Sequence, residues 1–396
     1  MNGQPAQQMP KRLQLLVTLR GHTGTVWSVS WSPRGLLASC GSDRTVRIWG
    51  CVGGSDEKRY DKDSWHCLAK LSSSSFQRTL REITWAPDGR TLAAAGFDAL
   101  ATILKLTKKA DTWSVEAIAE LPGHSSEIKS ARYASSGAVL ATASRDRRVC
   151  IWEAGDDYDY ECIEELYGHN GDVKKVVWHP HIELLLSCSY DDTIRVWAED
   201  LDEWYCMQEL VEHRSTVWDG SFDRDGVRFV SAGADGRLIV WRRFLPAPGK
   251  IGAMPRFRIV GKIESAHARE VFTVDWSPSS GFIASGGGDD CIRVFAEQGY
   301  EDGSLKEFSE IDEDGNVIEQ EQNDNDRRSA DEDDTVKEGD QNRASHKAEA
   351  EEYICIAGEP RAHTGDVNCV AWYPTDGRFL ASAGDDGLIR LWKIPQ

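Results

Sequence analysis

The sequence has 396 residues, and its 46 lysines and arginines against 65 aspartates and glutamates leave a formal net charge of −19. Phosphate backbones and anionic lipid repel such a chain, so no nucleic acid and no membrane partner is expected. The ten cysteines include no Cys-x-x-Cys pair and read as small core residues of a reducing compartment, not as a disulfide framework.

In chain order, residues 1–12 (MNGQPAQQMPKR) are polar and read as a flexible tail, with no apolar run able to act as a signal peptide or to span a membrane. LQLLVTL at 13–19 reads as a lone strand. From there a frame recurs, in which a His opens each unit and an Asp stands six residues before a closing aromatic. The copies are His22, Asp43 and Trp49; His124, Asp146 and Trp152; His169, Asp191 and Trp197; His213, Asp235 and Trp241; His267, Asp289 and Phe295; and His363, Asp386 and Trp392. A seventh copy is degenerate: counting back from Asp98 and Leu104 puts Phe76 where the His should be.

Between these points lie short runs rich in β-branched and aromatic residues, bounded by Gly, Pro, Asp and Ser, which is the pattern of strands and tight turns. One unit cannot bury its own faces, whereas seven arranged radially share a core. The fold class is therefore all-β, a single seven-bladed β-propeller over 13–396. Each unit reads as strands d, a, b and c, with d completing the preceding blade. The last repeat lacks a strand d, so the N-terminal strand is expected to close the ring.

The d–a and b–c turns of such a propeller share one face, here termed the top. The long insertions all fall in c–d connections on the other face: 50–65, 107–113, 154–160, 198–203, 243–262 and 297–351. Residues 301–350 hold 18 Asp or Glu against 6 Lys or Arg, a net of −12, and almost no aromatics. Such a stretch cannot offset its ordering entropy, so 298–350 reads as a disordered acidic insertion.

No catalytic constellation appears. The repeat histidines are one per blade and far apart. The Asp of the b–c turn can accept from the His ring, the His can reach a Ser or Thr on strand b, and that hydroxyl the Trp indole, which gives the repeat residues a structural task. His179-Pro-His181 reads as a solvated turn, and Gly286 to Gly288 lack the Lys and Ser/Thr of a phosphate loop. No metal, no cofactor and no enzymatic activity are expected.

The top face carries more information. In each blade, three positions should face the central opening: the residues flanking the first apolar residue of strand a, and the residue before the turn Asp. These place Arg81, Lys129, Arg145 and Lys174 in a cationic arc over blades 2 to 4, with Trp27, Phe97, Tyr190, Trp218 and Phe272 beside or across from it. Arginine among exposed aromatics is the composition of a binding hot spot.

The His-Asp-Trp frame resembles WD40 repeats, whose known structural tetrad maps onto the positions above. More specifically, LATASRDRRVCIWE, YECIEELYGHNGDVKKVVWHP, SCSYDDTIRVW, HRSTVWDGSFD and NCVAW resemble the WD40 subunit of the cytosolic iron–sulfur protein assembly (CIA) targeting complex. The resemblance covers 13–297 and 352–396, is most specific in blades 3 to 5, and departs from the pattern at Phe76, Leu104 and the acidic insertion. It implies a non-catalytic adaptor that joins a small adaptor subunit and a helical-repeat scaffold. Together they hand clusters to cytosolic and nuclear iron–sulfur apoproteins, which implies a cytoplasmic location extending to the nucleus. The family's top-face Arg in the blade 3 Ser-Arg-Asp turn maps to Arg145. A different WD40 scaffold, such as a ubiquitin-ligase substrate receptor or a chromatin subunit reading a basic tail, stands as the alternative. The basic arc speaks against the basic tail.

Overall fold

A computed structural model describes residues 10–52, 59–110, 112–201, 203–247, 254–305, 311–312 and 350–395. Six four-stranded sheets and one five-stranded sheet are ordered as seven blades. Blade 1 is built from strands a to d at Val26–Trp31, Leu37–Gly41, Val46–Cys51 and Trp65–Leu71, each antiparallel to the next. Strand b is buried along its whole length in several blades, as at Leu184–Ser189 and Arg228–Gly233, because both of its faces meet neighbouring blades. The core is therefore divided among the gaps between blades. One such cluster joins Val26, Val29 and Leu37 of blade 1 to Phe379, Ala381 and Leu391 of blade 7.

The recurring polar residues form a relay beneath each turn. In blade 1, Trp49 Nε1 donates to Ser39 Oγ (2.8 Å), which lies 2.8 Å from His22 Nε2, while His22 Nδ1 is 3.0 Å from Asp43. An indole N–H can only donate, so the Ser hydrogen goes to Nε2 and the His must carry its own proton on Nδ1. The same relay runs through His124–Thr142–Trp152, His169–Ser187–Trp197, His213–Ser231–Trp241 and His363–Ser382–Trp392; in blade 6 Phe295 ends it at Ser285. Burial would raise the Asp43 pKa, but the His22 ring and the Thr23 and Thr45 donors hold it far below the carboxylate range, and the other five turn aspartates behave alike. Blade 2 replaces the relay with packing: Phe76 and Leu104 are buried together with Leu80, Ile83 and Leu106.

Closure follows the pattern of the repeats. Gln14–Leu19 pairs antiparallel with Ile389–Lys393 and completes blade 7. The reading of 1–12 as tail is corrected at its end, where Lys11 and Arg12 pair in parallel with the outer strand Tyr353–Glu359 of blade 6. The Arg12 guanidinium bonds both carboxylate oxygens of Glu359 (2.7 and 2.8 Å), and Leu13 is buried between blades 6 and 7. The chain thus crosses two blades before the first repeat begins. Residues 1–9 lie outside the described residues.

The reading of 298–350 as wholly disordered is corrected for its described ends. Ile311 is buried in the blade 5–6 cluster, and its carbonyl accepts from Leu245 N (3.0 Å). An apolar side chain that reaches a core cleft gains burial that the surrounding acidic composition conceals. Residues 306–310 and 313–349, where most of that reading falls, lie outside the described residues. At the roots of the insertion, Glu297 and Glu351 both accept from Arg228 Nη1 (3.0 and 2.8 Å), which closes the excursion on one guanidinium.

His179 is not a solvated turn residue. It is buried, lies 3.0 Å from the Gly226 carbonyl through Nε2, and accepts from His181 N and Ile182 N through Nδ1. Burial first, then the Arg243 charge, lowers its pKa to about 3, so it is neutral and ties the a–b turn of blade 4 to that of blade 5.

Candidate functional site

One backbone irregularity builds the top of the propeller. The register of strand a against strand b shifts across one residue in every blade, at Trp27, Arg81, Lys129, Lys174, Trp218, Phe272 and Asn368. A bulge leaves its extra residue out of the ladder and re-aims the side chain. The other two top-face positions are joined by a backbone hydrogen bond in each blade. Arg145 N donates to Glu127 O (2.9 Å) and Tyr190 N to Asp172 O (2.8 Å), and the remaining five blades repeat the bond.

The cationic arc is present, and its members are stacked or paired. The Arg81 guanidinium lies 5.0 Å from the Trp27 ring, and Lys129 Nζ lies 4.1 Å from the Phe97 ring. Lys174 Nζ sits between Tyr190 (5.2 Å) and Trp218 (5.0 Å) and bonds Asp172 (3.1 Å). Trp218 meets Phe272 edge to face at 5.3 Å. The Arg145 fork does not stand free above the blade: Glu127 holds it at 3.1 Å, with the side chain 59% exposed. Ser126's hydroxyl, together with the Lys129 and Arg145 charges, holds the Glu127 pKa at about 2 against its burial. Burial lowers the Lys129 pKa to about 8; Glu127 pushes it up, and Lys174 and Arg81 push it down.

Among the described residues, the buried indole N–H groups of Trp27 and Trp218, in the same ring, have no acceptor. Tyr190 is 61% exposed beside them. An aromatic floor beside a cationic wall suits an acidic segment that carries a ring of its own. The opposite sector is acidic. Arg269, which sequence reasoning missed, reaches Glu270 (3.5 Å) and Asp366 (4.0 Å), with Asp385 bonded to Asp366 through the backbone.

A second ring of polar residues, also missed, lies one position past the bulge on each strand a and faces the central channel. Ile83 N donates to Ser28, Ala131 N to Glu82, Val176 N to Ser130, Val274 N to Asp219 and Val370 N to Thr273, always back to the preceding blade. Glu82 also pairs with Arg132 (2.8 Å) and Lys175 (2.7 Å). The signal was a polar residue recurring at one register position inside otherwise apolar strands.

Comparison with known proteins places this geometry among its relatives. The model of the WD domain, G-beta repeat family matches residues 13–50, 115–153, 160–198, 204–242, 259–295 and 356–393, and leaves out the blade 2 segment that carries Phe76 and Leu104. The chain is 34% identical over 391 residues to the "Probable cytosolic iron-sulfur protein assembly protein Ciao1" of Culex quinquefasciatus, covering 97% of this chain and 98% of that protein. It is 37% identical over 402 residues to the "Probable cytosolic iron-sulfur protein assembly protein CIAO1 homolog" of Chlamydomonas reinhardtii, covering 97% and 99%. Against the "Probable cytosolic iron-sulfur protein assembly protein 1" of Cryptococcus neoformans the identity is 33% over 468 residues, covering 97% and 99%.

Proposed function

The chain belongs to the WD40-repeat family of cytosolic iron–sulfur protein assembly proteins, and on that footing we propose that it is a non-catalytic adaptor whose top face captures an acidic segment of a partner. The partners are a small adaptor subunit and a helical-repeat scaffold of the CIA targeting complex, and the iron–sulfur apoproteins that complex serves. It works in the cytosol and on nuclear clients. Arg145, Lys129, Lys174 and Arg81 receive carboxylates, and Trp27, Tyr190, Trp218 and Phe272 receive the accompanying ring.

The observation that carries this reading is the row of stacked cations. Each stack holds a charge at a fixed height over an aromatic surface, so less side-chain entropy is lost when a carboxylate arrives. A scaffold reading a basic tail would need its acidic groups free, whereas Glu270 and Asp366 already face Arg269. Depletion of the protein should lower iron–sulfur occupancy in cytosolic client enzymes, and a Lys129→Glu/Lys174→Glu double variant should fail to restore it. Normal occupancy after depletion refutes the adaptor role. Full rescue by the double variant refutes the top face.

A further inference from the structure

Four cysteines occupy one repeat position. Cys67, Cys162, Cys206 and Cys355 stand on strand d, each in register with the closing aromatic of its blade: Trp49, Trp152, Trp197 and Phe295. Each thiol points to the carbonyl two residues on. In blades 1 and 4 an arginine two residues before the closing Trp lies against this thiol, Arg47 at 3.9 Å and Arg195 at 3.5 Å. Blade 6 carries Arg293 at the same position. Blade 3 carries Cys150 instead.

The replacement changes the chemistry of that spot. Where blades 1 and 4 set a guanidinium on a thiol, blade 3 sets a second thiol, and a carboxylate stands beside both. The ligand atoms of Cys150, Cys162 and Glu165 all lie within 4.8 Å of one another, the one such trio of His, Cys, Asp or Glu among the described residues. Cys150 is buried, Cys162 is exposed and Glu165 is half-buried, so the trio has a dry floor and an open side.

We propose that Cys150, Cys162 and Glu165 form a binding site for one thiophilic divalent d10 cation of the Zn²⁺ class, with solvent in the fourth position. Two sulfurs and one oxygen suit zinc, which accepts both donor types in a tetrahedron, with Zn–S near ~2.3 Å. Calcium and magnesium demand oxygen shells, and Cu⁺ prefers sulfur and imidazole to carboxylate. Two thiolates fall short of the four that hold an iron–sulfur cluster, so the site is separate from the cargo of the assembly pathway. His124 Nδ1 is 3.9 Å from Cys150 Sγ but is committed to Asp146 at 2.9 Å, so it does not join the set. Glu165 now bonds Arg148 Nη1 (2.6 Å) and accepts from the Tyr167 hydroxyl. Arg148 already reaches Asp146 through Nη2 (3.1 Å), so it keeps an anionic partner when Glu165 turns to the metal.

Capture replaces two S–H bonds with two metal–sulfur bonds and releases two protons to solvent, with no change of oxidation state. Below both thiol pKa values the apparent affinity should therefore rise about a hundredfold per pH unit.

The test uses the reduced full-length protein and two probes, Co²⁺ and Zn²⁺. One equivalent of Co²⁺ should give thiolate-to-metal charge transfer and tetrahedral d–d bands, and Zn²⁺ should abolish both. Cys162→Ser, at an exposed position, should lower affinity at least a hundredfold, and Glu165→Gln about tenfold. Cys67→Ser, the matching strand-d thiol of blade 1, should bind as the parent does. Absence of the bands at stoichiometric Co²⁺, or bands unchanged in Cys162→Ser, overturns the proposal.

Discussion

Arg145 and Glu127 face one another across the top of blade 3, joined twice: Arg145 N donates to the Glu127 carbonyl at 2.9 Å, and Arg145 Nη1 lies 3.1 Å from Glu127 Oε1. The backbone bond fixes where the arginine begins, and the carboxylate decides where its fork points. A partner carboxylate must therefore share the fork with Glu127 or displace it. The pair is exposed, so displacing it costs little, typically ~1 kcal/mol or less.

Arg145→Ala should weaken binding of the partner complex by roughly ten- to a hundredfold, since a charge-assisted hydrogen bond is worth about 1.5–3 kcal/mol. Glu127→Gln should act in the opposite direction and tighten binding severalfold at neutral pH, because it frees the fork. Titration calorimetry with the assembled partners reads both. Weaker binding by Glu127→Gln would mean that Glu127 contacts the partner and is no competitor.

Lys129 makes the same surface sensitive to alkali. Its pKa is lowered to about 8 by burial, so the ammonium that would meet a carboxylate is lost as pH rises through that value. Partner affinity should be flat from pH 6 to 7.5 and fall by up to about tenfold by pH 9. Lys129→Arg should remove the dependence. The stability sign is the reverse: between pH 8 and the ordinary lysine value of 10.5 the unfolded chain binds the extra proton, so this group favours folding as pH rises. An affinity profile unchanged in Lys129→Arg would assign the titration elsewhere.

How much of this was legible depended on whether the signal lay within one repeat. The turn Asp, its His and the closing Trp stand at fixed spacing, so their relay could be read from His22, Asp43 and Trp49 alone. The bulge residues Lys129 and Lys174 were legible for the same reason. Contacts between blades were not. Glu82 meets Lys175 across two blade boundaries, and His179 meets Gly226 across one, because radial closure brings those strands together and no local pattern encodes it. Cys150 and Cys162 escaped notice because their juxtaposition needs the strand c–d register, which a bulge shifts between Ile151 and Trp152. Ile311 was hidden by its surroundings, a single anchoring side chain in an acidic run.

The insertion should divide into an anchored part and a dispensable one. Replacing 313–349 by a short Gly/Ser linker should leave the melting temperature unchanged or slightly higher, since shortening a loop changes closure entropy by only about 0.6 kcal/mol per halving. Ile311→Ala should cost about 2 kcal/mol, the scale of a buried aliphatic truncation at the edge of a core. Arg228→Ala should be worse, about 3–5 kcal/mol, because Glu297, Glu351 and Asp223 would be left facing one another. Urea titration measures the two substitutions, and a thermal melt the linker replacement. A melting temperature lowered by several degrees in the 313–349 replacement would show that this stretch packs on the blades.

Glu82 offers the sharpest separation of fold from surface. Its carboxylate, 5% exposed, takes Lys175, Arg132, Ser130 Oγ and Ala131 N, and so satisfies strand a of blade 3 and cations from blades 3 and 4 at once. Burial would raise its pKa, but Arg132 and Lys175 hold it at about 2, so it is ionised at any pH where the protein works. Glu82→Leu keeps the volume roughly but leaves the buried Ala131 amide and Ser130 hydroxyl without their acceptor and Arg132 without its carboxylate, while Lys175 keeps Asp219 (3.3 Å), which should cost about 1–3 kcal/mol in urea titration. Glu82→Gln, which still accepts from Ala131 N, should recover part of that. Lys174 and Lys129 each lie one bulge away from channel residues of this network, Lys175 and Ser130, yet their rings and partners are on the top face. At a temperature where Glu82→Gln is fully folded, its partner affinity should therefore match the parent's within about threefold. A larger loss without unfolding would mean that the channel network sets the height of the lysines above Phe97 and Trp218, and that the binding face is tuned from beneath.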